Sequence, residues 1–221
     1  MVELRLRYHQ QLEAIESKVM QLFALVAEGV AGATDALLGG DSSVVEVLAA
    51  RELVIDALYL DVEALVNQLL ALQGPVATDL RFLLSVLRIV PELERSHDLV
   101  MHIAHGANPS RSQELSPRTR GLIERMGSLG SDMWRQAADS WDQRDRAIAA
   151  AVCERDDEMD ALHASLIAEL GSGGLTLSTA MDMTLVARFY ERLGDHAVNI
   201  ARRVMFLAAS EIPGIATQSS S

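Results

Sequence analysis

Four pairs of carboxylates stand four residues apart: Glu52 with Asp56, Glu94 with Asp98, Asp156 with Asp160, and Glu191 with Asp195. On a helix, residues i and i+4 share one face, a turn apart. Two carboxylates placed in that way repel each other unless a cation or protons compensate them. An all-oxygen set of this kind suits a hard or borderline cation. The metal-free alternative is ion pairing, for which Arg95 and Arg192, each beside an acid, are the candidate partners.

The pairs recur in order. Glu94-Arg95-Ser96-His97-Asp98 returns as Glu191-Arg192-Leu193-Gly194-Asp195, and the stretch from Arg51 to Leu58 resembles that from Arg155 to Leu162. Such self-similarity marks an internal repeat. The upstream and downstream pairs are 42 residues apart in the first half (Glu52 to Glu94) and 35 in the second (Asp156 to Glu191). The difference is close to two turns at about 3.6 residues per turn, so facing is preserved. Helices joined by a short loop pack antiparallel. With the turn near Gln73-Gly74 and a rise of about 1.5 Å per residue, the pairs of the first half fall at nearly one height. The second half behaves likewise around Gly171-Ser172-Gly173-Gly174.

Neighbouring groups extend these faces. His102 lies four residues after Asp98 and Asn199 four after Asp195, and both are candidate ligands or outer partners. His163, three after Asp160, is another. His196 adjoins Asp195 in sequence but points to a different face, which gives it a surface or interface role. Glu94-x-x-His97 is the pair that di-iron carboxylate bundles use. Gly194 stands at the matching place in the second half, so a di-iron redox enzyme lacks its second pair.

The elements that must position these groups are helices. Of the 221 residues 49% are apolar but only 4% aromatic, a bias toward good helix formers. Six helical segments can be read. The first runs from about Tyr8 to Leu38, with Leu12, Ile15, Val19, Leu22, Val26 and Val30 on one face. The second covers Ser43 to Leu72. The third runs from Pro75 to Ala104, with a kink expected at Pro91. The fourth ends near Trp141, the fifth spans Arg144 to Leu170, and the sixth Ser178 to Ala209. Residues 1–106 would form one three-helix bundle and 118–210 a second. Residues 107–117 would be a linker without periodicity, and 211–221 a disordered tail. Met181, Met183 and Met205 read as core, and the lone Cys153 as packing rather than a nucleophile.

A net charge of -12 argues against direct nucleic-acid binding and against a seat on anionic lipid. No stretch of about 18 uncharged apolar residues is present, so no transmembrane helix is expected. The first residues mix Glu3, Arg5 and Arg7 with apolar ones, unlike a secretory signal. A cytoplasmic protein is the expectation.

Three stretches resemble the PhoU family of phosphate-signalling regulators. They are Pro75-Val76-Ala77-Thr78-Asp79-Leu80-Arg81, Glu94-Arg95-x-x-Asp98, and above all the run from Ala187 to Ala201 (ARFYERLGDHAVNIA). The resemblance implies an all-α fold of two tandem three-helix bundles. It implies a non-enzymatic negative regulator of the phosphate-starvation response. Its partners would be the ATPase subunit of a phosphate ABC transporter and a membrane sensor histidine kinase, with homodimerisation. It also implies metal sites (iron, zinc, manganese or magnesium) on Glu52, Asp56, Glu94 and Asp98, and on Asp156, Asp160, Glu191 and Asp195. Ser96-His97 departs from the apolar-Gly pair usual in the family. The rivals are a di-iron carboxylate redox protein and a metal-free helical adaptor.

Overall fold

The structure, a computed structural model, describes residues 2–209. Its elements are α1 (Val2–Gly39), α2 (Val44–Gln73), α3 (Ala77–His105), α4 (Pro109–Glu114), α5 (Pro117–Gln143), α6 (Arg146–Glu154), α7 (Asp156–Gly171) and α8 (Leu177–Leu207). No strand occurs among the described residues. The repeat appears as α1–α3 against α5–α8. The expected tail lies outside the described residues.

The predicted apolar stripe of α1 is the centre of the molecule. Ile15, Val19, Leu22, Val26 and Val30 are all fully buried. They meet α2 and α3 on one side and α5 on the other, while α3 also packs along α8. The two halves therefore share one continuous apolar core. By length and composition alone α1 could cross a membrane, since an 18-residue window within Leu6–Gly39 has a mean hydropathy of 1.5. The sequence test demanded uncharged residues and passed over this segment. The side chains that make the stretch apolar are those that α2, α3 and α5 cover.

Two small contacts bind the halves closely. Thr34 on α1 donates to the Val30 carbonyl at 2.7 Å, so Tyr190 on α8 is the donor in its own 2.7 Å bond to the Thr34 hydroxyl. A Cβ at Gly127 would collide with the Thr34 side chain, so only glycine lets α5 approach α1 there. Arg144 closes α5 with φ 54°, an unusual value for a residue with a side chain. It is held there by two 2.7 Å bonds to the Glu16 carboxylate and by stacking over Trp141, 4.2 Å from the ring centre.

The structure corrects four expectations. The fifth helix is two, α6 and α7, divided at Arg155. Asp156, Asp157 and Glu158 fill the first turn of α7, where negative charge favours a helix start. The linker holds the short α4, begun by the Asn108 side chain, which accepts from the Ser110 and Arg111 amides, and by Pro109 in the first turn. Met181 is 62% exposed, because the buried stripe of α8 runs through Thr179, Met183, Val186 and Tyr190 and passes it by. Of the surface and interface roles expected of His196, the structure excludes the first: the ring is buried at the α3–α8 junction. Pro91 does not interrupt α3. Met183 is buried, and Met205 and Cys153 pack half-buried on the core.

Candidate metal centre

Each set of four acids comes from two antiparallel neighbours, α2 with α3 and α7 with α8. In the first half, burial raises the Glu94 pKa, and Asp98, Asp56 and Glu52 raise it further. Glu94 thus feels the other three expected carboxylates. In the second half, burial raises Asp156, and Asp160 and Asp195 add to this. Burial likewise raises Glu191, reinforced by Asp195 and Asp160. Both hairpins thus bring acids of one helix within electrostatic reach of acids of the other.

The donor chemistry fits a cation, most clearly in the second half. One Glu191 carboxylate oxygen pairs with Arg188 a turn earlier on α8. The other, Oε2, is buried and has no hydrogen-bond partner. An orphaned anionic oxygen beside two more carboxylates is an incomplete arrangement that a bound cation would complete. The acids are coupled but not closed into a cage. Among the described residues no three Asp, Glu, His or Cys side chains already converge as a metal site.

The flanking candidates divide. His163 is half-buried and close enough to Glu191 to lower its pKa. His102 hydrogen-bonds the Asp98 carbonyl through Nδ1 at 2.6 Å, and its ring lies 5.1 Å from that of Phe189 on α8. Asn199 lines a groove between α3 and α8. Arg95 moderates Glu94. Arg192 acts on His196 instead of on the acids. Sequence reasoning missed Arg188 and Arg202, which offset Glu191 and Asp156. Their positions, three before Glu191 and seven after Asp195, are helix-face spacings that could have found them.

The two sets differ where the repeat differs. Gly194 lets α8 close on α7: a Cβ there would lie 3.3 Å from Met159 Cγ and 3.5 Å from an Asp156 oxygen. His97 fills the matching place in the first half and is 1% exposed. Neither ring nitrogen makes a well-formed hydrogen bond, although the Leu48 backbone comes near. Burial lowers its pKa and keeps the ring neutral.

At the junction, Ser96 donates to the Glu92 carbonyl at 2.6 Å, and His196 Nδ1 reaches the Ser96 hydroxyl at 2.9 Å. The Glu92 carboxylate lies 3.8 Å from His196 Nε2. Serine, histidine and carboxylate are in sequence here, but Ser96 is fully buried and no substrate can reach its hydroxyl. The group instead joins α3 to α8.

Fold and site together define an all-helical repeat protein with a paired-carboxylate set in each half. The chain belongs to the PhoU family: the PhoU domain matches it twice, over residues 19–107 and 123–204. It is 34% identical over 213 residues to the phosphate-specific transport system accessory protein PhoU homolog 2 of Mycobacterium tuberculosis, covering 95% of this chain and 100% of that one. The PhoU homolog 1 of Mycobacterium leprae is 33% identical, over 95% of this chain and 96% of the other. The crystal structure of PhoU from Pseudomonas aeruginosa superposes with a TM-score of 0.84 at 27% identity, covering 90% of this chain and 98% of that one.

Proposed function

We propose that this chain is a non-enzymatic negative regulator of the phosphate-starvation response. In this reading it couples the ATPase subunit of a phosphate ABC transporter to a membrane sensor histidine kinase. It works in the cytoplasm, as a homodimer, and meets the membrane only through those partners. The observation that carries the reading is the end-to-end likeness to phosphate-specific transport system accessory proteins. The interlocked core supports it, because it presents a rigid helical surface and no substrate-sized catalytic cleft is needed.

Metal is the second part of the proposal. The holders would be Glu52, Asp56, Glu94 and Asp98 in the first half. In the second they would be Asp156, Asp160, Glu191 and Asp195, with His163 beside them. A bound iron, zinc, manganese or magnesium ion would supply positive charge that ties two helices together. The support is the mutual repulsion of these acids and the orphaned Glu191 oxygen.

Affinity capture from cells grown at high and at low phosphate tests the adaptor role. Recovery of the transporter ATPase and the kinase, in phosphate-dependent proportion, is the expected result; recovery of neither would sink it. Metal analysis of the purified protein beside Glu191→Ala and Asp195→Ala tests the sites. Failure to take up any of the four metals under any loading condition would remove the metal from the proposal and leave the adaptor role standing.

A further inference from the structure

The groove between α3 and α8 gathers positive charge in an acidic chain. Its volume is about 440 Å³, and Arg88, Arg202, Arg203 and Asn199 line it together with Glu92 and Phe206. Three arginines line it with one carboxylate, and Arg202 also acts on Asp156. The Glu92 carboxylate already has His196 as a neighbour at 3.8 Å.

None of the three arginines forms a salt bridge among the described residues. What sets them apart is that all three line one groove in a chain of net charge -12. Other arginines of the molecule do find acidic partners: Arg111 with Asp182, Arg118 with Glu169, Arg144 with Glu16. Arg203 lies over the Phe206 ring, 5.2 Å from its centre, and that contact limits its freedom. Arg88, on the opposite wall, is close enough to depress the Arg203 pKa further after burial has done so. Like charges held together in this way favour an anion between them.

We infer that the α3–α8 groove is a binding site for a small phosphate-bearing anion, gripped by Arg88, Arg202 and Arg203 with Asn199 donating a further hydrogen bond. Guanidiniums match phosphate oxygens with paired donors, and several from two helices can surround a tetrahedral group. A multiply charged oxyanion gains from all three arginines, whereas chloride cannot use their paired geometry. The anion is inorganic phosphate or the phosphate chain of a nucleotide. The site shares one neighbour with the metal sets, since Arg202 also acts on Asp156, so the test turns on Arg88 and Arg203.

Isothermal titration of the full-length protein, stripped of metal with EDTA and kept at low salt, tests this with inorganic phosphate, ATP and sulfate as separate ligands. Saturable binding of phosphate or ATP is expected, weakened about tenfold or more in Arg88→Gln and in Arg203→Gln. Circular dichroism melts of both variants guard against misfolding. Side-chain nitrogen spectra should show the Nε resonances of the three arginines moving with the ligand. Binding by ATP but not by inorganic phosphate assigns the site to a nucleotide, and binding by both assigns it to the phosphate group itself. Binding unchanged in the two variants, or no saturable binding by phosphate or ATP, overturns the inference. Phosphate held by metal at the acid sites is recognisable separately, because EDTA would abolish it and Arg88→Gln would not.

Discussion

The two carboxylate sets are copies that have diverged at two adjacent buried positions, Ser96-His97 in one and Leu193-Gly194 in the other, and the second of these matters most. In the second half Gly194 leaves α8 bare, so Met159 and Asp156 close against it. In the first half the His97 imidazole takes that space and sits buried without a well-formed hydrogen bond, within reach of Glu52 and Asp98. Two sets of acids that differ only by Glu52 against Asp156 therefore face different interiors, a close-packed backbone in one case and a neutral nitrogen base in the other. A repeated motif does not guarantee a repeated site, because what lies behind the ligands also sets their chemistry.

The largest effect should come from erasing that difference. Gly194→His must force an imidazole between α8 and α7, and overpacking of this sort costs about 1–3 kcal/mol. At about 2–4 °C per kcal/mol for a chain of this size, thermal melting should fall by several degrees. Metal uptake by the second set should fall with it, and a melt as high as that of the parent would show that the interface has slack. Next comes metal preference. The His97 nitrogen adds a borderline donor, so the first set should favour zinc over magnesium by more than the all-oxygen second set does. Competition titrations with Glu191→Ala (first set only) and Glu94→Ala (second set only) separate the two. His97→Asn should narrow the zinc preference of the first set by about tenfold.

A smaller effect concerns pH. Glu94, Asp156 and Glu191 have folded pKa values raised above their ordinary values of 4.5, 3.8 and 4.5. The folded state therefore holds more protons than the unfolded one just above those values, and the contribution of these groups to stability falls as pH rises. Urea melts of metal-free protein between about pH 4 and 7 should show this decline, shallower in Glu191→Gln. After discounting for solvent screening, each group should contribute about 1 kcal/mol or less. Saturating metal should flatten the slope. The smallest effect is that of Arg188→Ala. Its pair with Glu191 is half exposed, so stability should change by less than about 1 kcal/mol. Metal affinity should nevertheless rise in the second set alone, since a competing cation has gone.

Much of this was legible in the sequence, because helix-face spacing is a local property. The apolar stripe of α1, the hairpin turns and the facing acids all follow from 3.6-residue periodicity. What escaped was decided locally by caps or globally by packing. Asn108-Pro109 was a readable start signal that the loop-like composition around it concealed. The break at Arg155 follows from acids that were read only as ligands. Met181 is of a core type, but its phase on α8 turns it to solvent. The burial of His196 and the arginine groove depend on which face of α3 meets α8, a relation between distant segments that no window along the chain contains.

The placement of α1 bears on how such a duplication could be taken apart. Its stripe is claimed by both halves, with Thr34 bonded to Tyr190 of the other repeat and Gly127 pressed against it. Residues 1–106 produced alone would turn to water the faces of α1 and α3 that α5 and α8 cover. Such a fragment should be sticky, pairing with a second copy of itself in the manner of the single-repeat ancestor from which an intramolecular duplex of this kind would descend.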